Sequence, residues 1–214
     1  MEPAIVCRRY GQPQTFLRSS GIVRMPPSTL RFRLRERTAT RHAAVDEAVG
    51  AFKSVTDYRR YLAGLHTFRA PCEAALAGGA LPTDVRDWSF TPLSPLITLD
   101  MADLGVPAAV RPQQVPPVAT LEEAAGRLYV LEGSALGARV LVVEARSLGL
   151  DERFGARHLV AQSRGGVDFR AFAAWLDEAD LDEEAVLAAA LATFAAAERA
   201  FTDSMSRGTA HALA

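Results

Sequence analysis

The sequence predicts an all-α chain, and three observations predict it. Apolar residues return at mixed three- and four-residue intervals through most of the 214 positions. The ends of those stretches carry helix punctuation, with Ser or Thr before them and Gly or Pro after. The one run with strand propensity, Val140 to Val143, lies inside a helical period with charges around it.

Length and composition bound the rest. The chain suffices for one sizeable core and falls short of two ordinary domains. The expectation is a domain over 28–207 between tails at 1–27 and 208–214. Residues 1–27 combine arginine pairs with scattered glycine and proline and have no apolar h-region, so they are expected to be disordered. Met25, just before Pro26 and Pro27, is an alternative start of translation. A net charge of −1 supplies no global basic field for nucleic acid or an anionic membrane surface. Cys7 and Cys72 are too few for a disulfide framework or a zinc site, so the default expectation is a reduced, cytoplasmic protein. The longest strongly apolar run, Ala185 to Ala197, is about a third short of the roughly 20 residues that span a bilayer, and no membrane crossing is expected.

The first helix is expected over Leu30 to Val49, capped by Ser28 or Thr29. At about 100° per residue, Leu34, Thr38, His42, Val45 and Val49 fall within one arc, with Arg35, Arg37, Arg41 and Glu47 mostly on its flanks. His42 therefore belongs to the stripe expected to be buried, as a core residue or as a ligand. A second helix, about Thr56 to Leu76, should be kinked or split by Pro71 and ended by Gly78 and Gly79. A connection over 80–93 follows, anchored by Trp88 and Phe90. Ser94 then caps a short helix with Pro95 inside its start and Gly105 past its end.

After a proline-rich loop from Val106 to Val118, one long helix is expected over Thr120 to Leu150. Thr120 and Glu123 form a capping pair at its start and Gly149 closes it. Gly133 and Gly137 stand in its middle, each costing about 1 kcal/mol relative to alanine. Their four-residue spacing puts both bare Cα atoms on one face, where either a neighbouring helix or a flat ligand comes close. Arg127, Glu132, Arg139 and Glu144 exclude a membrane-pairing motif. A loop over Asp151 to Gly166 leads to helices at about Asp168 to Ala179 and Asp182 to Met205, the last with Leu187, Leu191, Phe194, Glu198 and Phe201 along one side. His66, His158 and His211 have no partner at ligand spacing, and no Ser/His/Asp, CxxC, phosphate-loop or Ca²⁺-loop pattern occurs.

Two stretches together resemble the haem oxygenases, particularly bacterial members. LRERTATRHAAVDEAV, Leu34 to Val49, is similar to the family's first helix, and GRLYVLEGSALGARVL, Gly126 to Leu141, is similar to its distal helix. Weaker support comes from LDMADLG, Leu99 to Gly105. The resemblance implies a haem-oxygenase-like multi-helix bundle with a long kinked distal helix. It makes His42 the proximal ligand to haem iron and places Gly133 and Gly137 against the macrocycle, with Ser134 beside them at the catalytic face and Ala138 next in contact. Asp46 would orient the His42 ring, Arg35 would meet a haem propionate, and Thr38 would line the cofactor site. Haem would be substrate and cofactor, opened to biliverdin with release of iron and carbon monoxide. Dioxygen and an external electron donor, a transient ferredoxin- or reductase-type partner, are required because the chain has no flavin, nicotinamide or iron–sulfur motif. The bilin would end in iron acquisition or be passed to a bilin-accepting photoreceptor. The chain departs from the family at Ala138, where many members have a second glycine, at Ser134, where the animal enzymes have a carboxylate, and at Ala135, often polar in bacterial members. Two rivals stay open: a haem-binding or haem-sensing protein without turnover, and an all-α domain whose glycines form a packing seam.

Overall fold

The computed structural model describes residues 29–212 apart from 84, 108–114 and 165, with the backbone alone at 166–168 and 205–212. The expected tail at 1–27 and the alternative start at Met25 lie outside the described residues. Eight helices are described: α1 (Leu30–Val49), α2 (Val55–Ala77), α3 (Ser94–Asp103), α4 (Leu121–Gly133), α5 (Ala135–Ser147), α6 (Arg157–Arg164), α7 (Gly166–Glu178) and α8 (Glu183–Ala212). Among the described residues the only β pairing is an isolated bridge between Asp151 and Gly155.

The core forms around α8, which packs on α1, α2 and α4. Val186, Leu187, Ala190, Phe194, Ala197, Ala200 and Phe201 are all buried along it. Small residues let these helices close up. A Cβ on Gly126 of α4 would stand 2.4 Å from the Val186 carbonyl oxygen, and one on Gly64 of α2 would stand 2.7 Å from the Phe201 ring. The Glu183–Ser204 stretch is long and apolar enough to cross a membrane, although no single uninterrupted run suggested it. Its packing against three helices is that of a core helix. α8 also continues to Ala212, beyond the end expected near Met205 and through most of the tail assigned to 208–214.

Several expectations are corrected by packing. Pro71 sits inside α2 and does not split it, with Tyr61, Leu62, Leu65, Phe68, Cys72 and Leu76 buried on both sides of it. The loop expected over Asp151 to Gly166 contains α6. Its first amides are taken by a residue far away in sequence: Asp100 Oδ1 accepts from Arg157 N at 3.0 Å and Asp100 Oδ2 from His158 N at 3.0 Å. A carboxylate does here what a local cap does elsewhere, and nothing near position 157 announces it.

The same cluster corrects the reading of His158 as unpartnered. Its ring is fully buried, with Nδ1 2.7 Å from Asp100 Oδ2 and Nε2 3.4 Å from the Tyr61 hydroxyl. Burial alone would raise the Asp100 carboxyl, but bonds from His158 and Arg157 outweigh it and hold it below the ordinary carboxylate range. Burial lowers His158 against the pull of Asp100. The two directions agree on a neutral imidazole whose Nδ1–H donates to an ionised carboxylate.

Candidate functional site

The expected long helix is bent, with α4 ending at Gly133 and α5 starting at Ala135 around Ser134. Thr120 begins it as expected, its hydroxyl accepting from Glu123 N at 3.2 Å, while Glu123 reaches back to Ala119 N at 2.9 Å. Gly149, at φ 82, follows its end.

α1 lies beside this bent pair and is tied to it at two levels. At one, the Tyr129 hydroxyl of α4 comes near enough to the Thr38 side chain for it to oppose the effect of burial on the phenol. At the other, Phe52 N just past α1 donates to Glu144 Oε2 of α5 at 2.9 Å. The ties are about four turns apart along each wall. His42 and Asp46 lie between them on one wall, and Gly133 and Gly137 lie between them on the other.

The glycines decide between the two readings of their spacing. A Cβ on Gly137 would meet nothing within 4 Å, and one on Gly133 would meet only Phe169 Cε2, at 3.8 Å. The helix-packing seam is therefore at Gly126 and Gly64, where an added Cβ collides, and not at these two positions. Leu136 and Val140 flank Gly137 and are exposed, so this wall is apolar and open. Ala138 is turned the other way, buried in the core at 2% exposure, which corrects its placement on the open face. Ala135 is likewise buried.

On the α1 wall, Leu34 and Thr38 are buried as the stripe predicts, with Thr38 Oγ1 donating to Leu34 O at 2.7 Å. His42 departs from it, since its side chain is 59% exposed. Phe194 of α8 meets the ring edge-on at 5.9 Å. The stripe that holds Leu34 and Thr38 in the core thus becomes exposed one turn further on, at His42. His42 Nδ1 stands 3.0 Å from Asp46 Oδ2 one turn on. That hydrogen bond raises the His42 pKa above its ordinary value, against burial and the nearby Arg35 charge. It also occupies Nδ1 and leaves Nε2 free to act as a donor to a metal.

Arg35 differs from the other α1 arginines. Arg31, Arg33, Arg37 and Arg41 pair with Asp177, Glu183, Glu184 and Glu198 of α7 and α8. Arg35 is exposed and its charge is felt by both His42 and Tyr129, so it stands at the mouth of the cleft. Tyr129, whose pKa burial pushes up, was not singled out by the sequence.

Ser134, expected at the catalytic face, is spent on the bend. Its Oγ donates to Leu131 O at 2.5 Å and accepts from Gln162 Nε2 at 2.6 Å. A hydroxyl has one proton, and this one is committed to a backbone carbonyl. Among the described residues no group of three or more His, Cys, Asp or Glu forms a metal cage.

No protein-family model matches the chain. Heme oxygenase PigA of Pseudomonas aeruginosa is 37% identical to it over 136 residues, which are 62% of this chain and 68% of that protein. Among solved structures, the NO- and CO-bound heme oxygenase of Neisseria meningitidis superposes with a TM-score of 0.66 at 23% identity, over 83% of this chain and 92% of that one. At that identity the superposition establishes the fold.

Proposed function

This chain belongs to the haem oxygenase family, and from that premise we propose that it cleaves haem oxidatively in the cleft between α1 and the α4–α5 pair. The observation that supports this assignment is the open space at Gly133 and Gly137, together with a histidine on α1 whose Nδ1 is held by Asp46.

The residues present fit the group. Neutral imidazole is a good donor to iron, and His42 offers Nε2 while Asp46 fixes the ring through Nδ1. Glycine lets helix backbone come within contact of a flat macrocycle, where any larger residue would hold it off. Leu136 and Val140 give the apolar surface that the ring faces need. Arg35, at the mouth, has the planar fork that suits a propionate carboxylate. When bound, haem supplies both the redox iron and the ring that is opened to biliverdin, with iron and carbon monoxide released. The protein orients it, excludes water from one face and fixes the side that dioxygen reaches. Electrons come from outside, through a transient ferredoxin- or reductase-type partner. The bilin then leaves as waste of iron acquisition or as a chromophore for a photoreceptor.

The test is an absorbance titration of the purified protein with haem, followed by ascorbate or a reductase in air. The expected result is a sharp Soret band, weakened in His42→Ala, that bleaches as a biliverdin band grows. A stable Soret band under reductant and oxygen would leave a haem binder without turnover. No Soret band at all would overturn the assignment of His42.

A further inference from the structure

We propose that Arg69 is a positioning residue for this reaction, holding the bend of the distal helix at Ser134 and so setting where Gly133 and Gly137 face the ligand. The inference rests on the reading of α4–α5 as the wall over haem.

Arg69 lies on α2 at 3% exposure, paired with Glu73 one turn on, itself at 2%. Its Nε donates to Glu73 Oε1 at 2.7 Å. Glu73 is anchored in turn by the start of α3, where Leu93 N and Ser94 N donate to its oxygens at 3.1 and 2.8 Å. From that base Arg69 Nη1 reaches across to the bend, to Leu131 O at 3.5 Å and Ser134 Oγ at 3.4 Å. Gln162 of α6 reaches the same hydroxyl from another side. Two helices outside the α4–α5 pair, α2 and α6, thus converge on one serine, and α3 braces the first of them through Glu73.

Core stability alone does not ask for this arrangement. A buried ion pair replaced by well-packed apolar residues of similar volume is often no less stable, and the best-attested use of such pairs is to specify one arrangement over its alternatives. The alternatives here are local. With glycine at 133 and 137 the bend has little side-chain packing of its own, and open space lies in front of it. A planar guanidinium held at one edge by Glu73 presents its other edge in a fixed direction, which a lysine ammonium at the same place cannot do. What it fixes is the distance and tilt of the glycine backbone over the macrocycle, and with them which ring edge is attacked.

Three variants test this: Arg69→Lys, which keeps the charge beside Glu73; Gln162→Met, which removes one partner of the hydroxyl; and Ser134→Ala, which removes the hydroxyl itself and leaves only the Arg69 contact to Leu131 O. Hydrogen exchange is followed in the haem-free protein. The expected result in Arg69→Lys is at least tenfold faster exchange of the 133–138 amides, with those of α8 unchanged. Gln162→Met and Ser134→Ala should show increases confined to the same segment, the smaller one in Gln162→Met. In the haem complex, Arg69→Lys should shift the pH midpoint of the ferric acid–alkaline transition and change the proportions of biliverdin isomers. Neither readout follows from a merely propped core. Exchange that rises equally throughout the chain, or not at all, would overturn the proposal. If Arg69→Lys does not fold, Ser134→Ala and Gln162→Met decide, and unchanged 133–138 exchange in both would overturn it. A wild-type protein without a Soret band would sink the haem reading while leaving the exchange result standing.

Discussion

Gly137→Ala and Gly126→Ala are the same chemical change four residues beyond and seven before Gly133, and the structure gives them opposite signs. At Gly137 an added Cβ meets nothing within 4 Å, so only the helix preference acts. That preference is worth about 0.5–1 kcal/mol. For a chain of this size about 1 kcal/mol shifts Tm by roughly 2–4 °C, so the haem-free variant should melt about 1–4 °C higher. At Gly126 the same gain of about 1 kcal/mol is opposed by contacts at 2.4 Å to Val186 O and 2.8 Å to Ala190 N. Those are backbone atoms of α8 and cannot swing aside, which points to the upper end of overpacking costs, about 3 kcal/mol. The net loss is then about 2 kcal/mol, a fall in Tm of roughly 4–8 °C. Haem affinity should divide the pair the other way. In the proposed site the methyl of Gly137→Ala intrudes on the macrocycle, and about tenfold weaker binding, near 1.4 kcal/mol, is expected. Differential scanning fluorimetry without haem and Soret titration read the two quantities separately. A lower Tm in Gly137→Ala would show a packing contact at that position. A higher Tm with unchanged haem affinity would show that the open face is not the haem wall.

Three further predictions concern charge. The Asp46 hydrogen bond raises the His42 pKa above its ordinary 6.5, and in the proposed site iron competes with the proton for the imidazole. Haem affinity should therefore fall as pH is lowered through that raised value, and Asp46→Asn should move the midpoint down; a Soret titration across pH reads it, and an unmoved midpoint would remove Asp46 from the site. In the haem-free protein the same raised pKa contributes stability that is fully present below pH 6.5 and lost as pH rises through the folded value. His158 behaves oppositely, because its lowered folded pKa makes stability fall as pH drops from 6.5 toward that value. Asp100, also lowered, extends the loss at pH below its ordinary 3.8 as its folded pKa is crossed. Urea midpoints of His158→Leu and the parent, compared between pH 7 and 5, should show a flatter profile in the variant. Finally, Glu73→Gln leaves the Arg69 guanidinium buried without its counter-charge, and breaking such a pair costs about 3–5 kcal/mol. Thermal melts should show a fall of at least roughly 6 °C, and a change under 2 °C would mean that water or another group replaces Glu73.

The sequence by itself determined the class, most helix boundaries and the two stretches that form the cleft walls. Those features are written locally, in caps, glycines and 3.6-residue periods. Thr120 with Glu123 and Gly149 after α5 act on their own neighbours and stay legible without a fold. The relation of His42 to Asp46 was legible for the same reason, since one helical turn joins them. Tertiary structure decided whatever depends on which surface comes to lie opposite. It alone shows that Gly126 meets a helix while Gly137 meets open space, although both are glycines in one helical run. It turned Ala138 inward and committed the Ser134 proton to the bend. It also joined Asp100 to His158, and through Arg69 joined Glu73 to Ser134, across separations that no local pattern encodes. A buried polar side chain is tolerated only once its partner has been delivered by the fold, so its position in the sequence carries no sign of that partner.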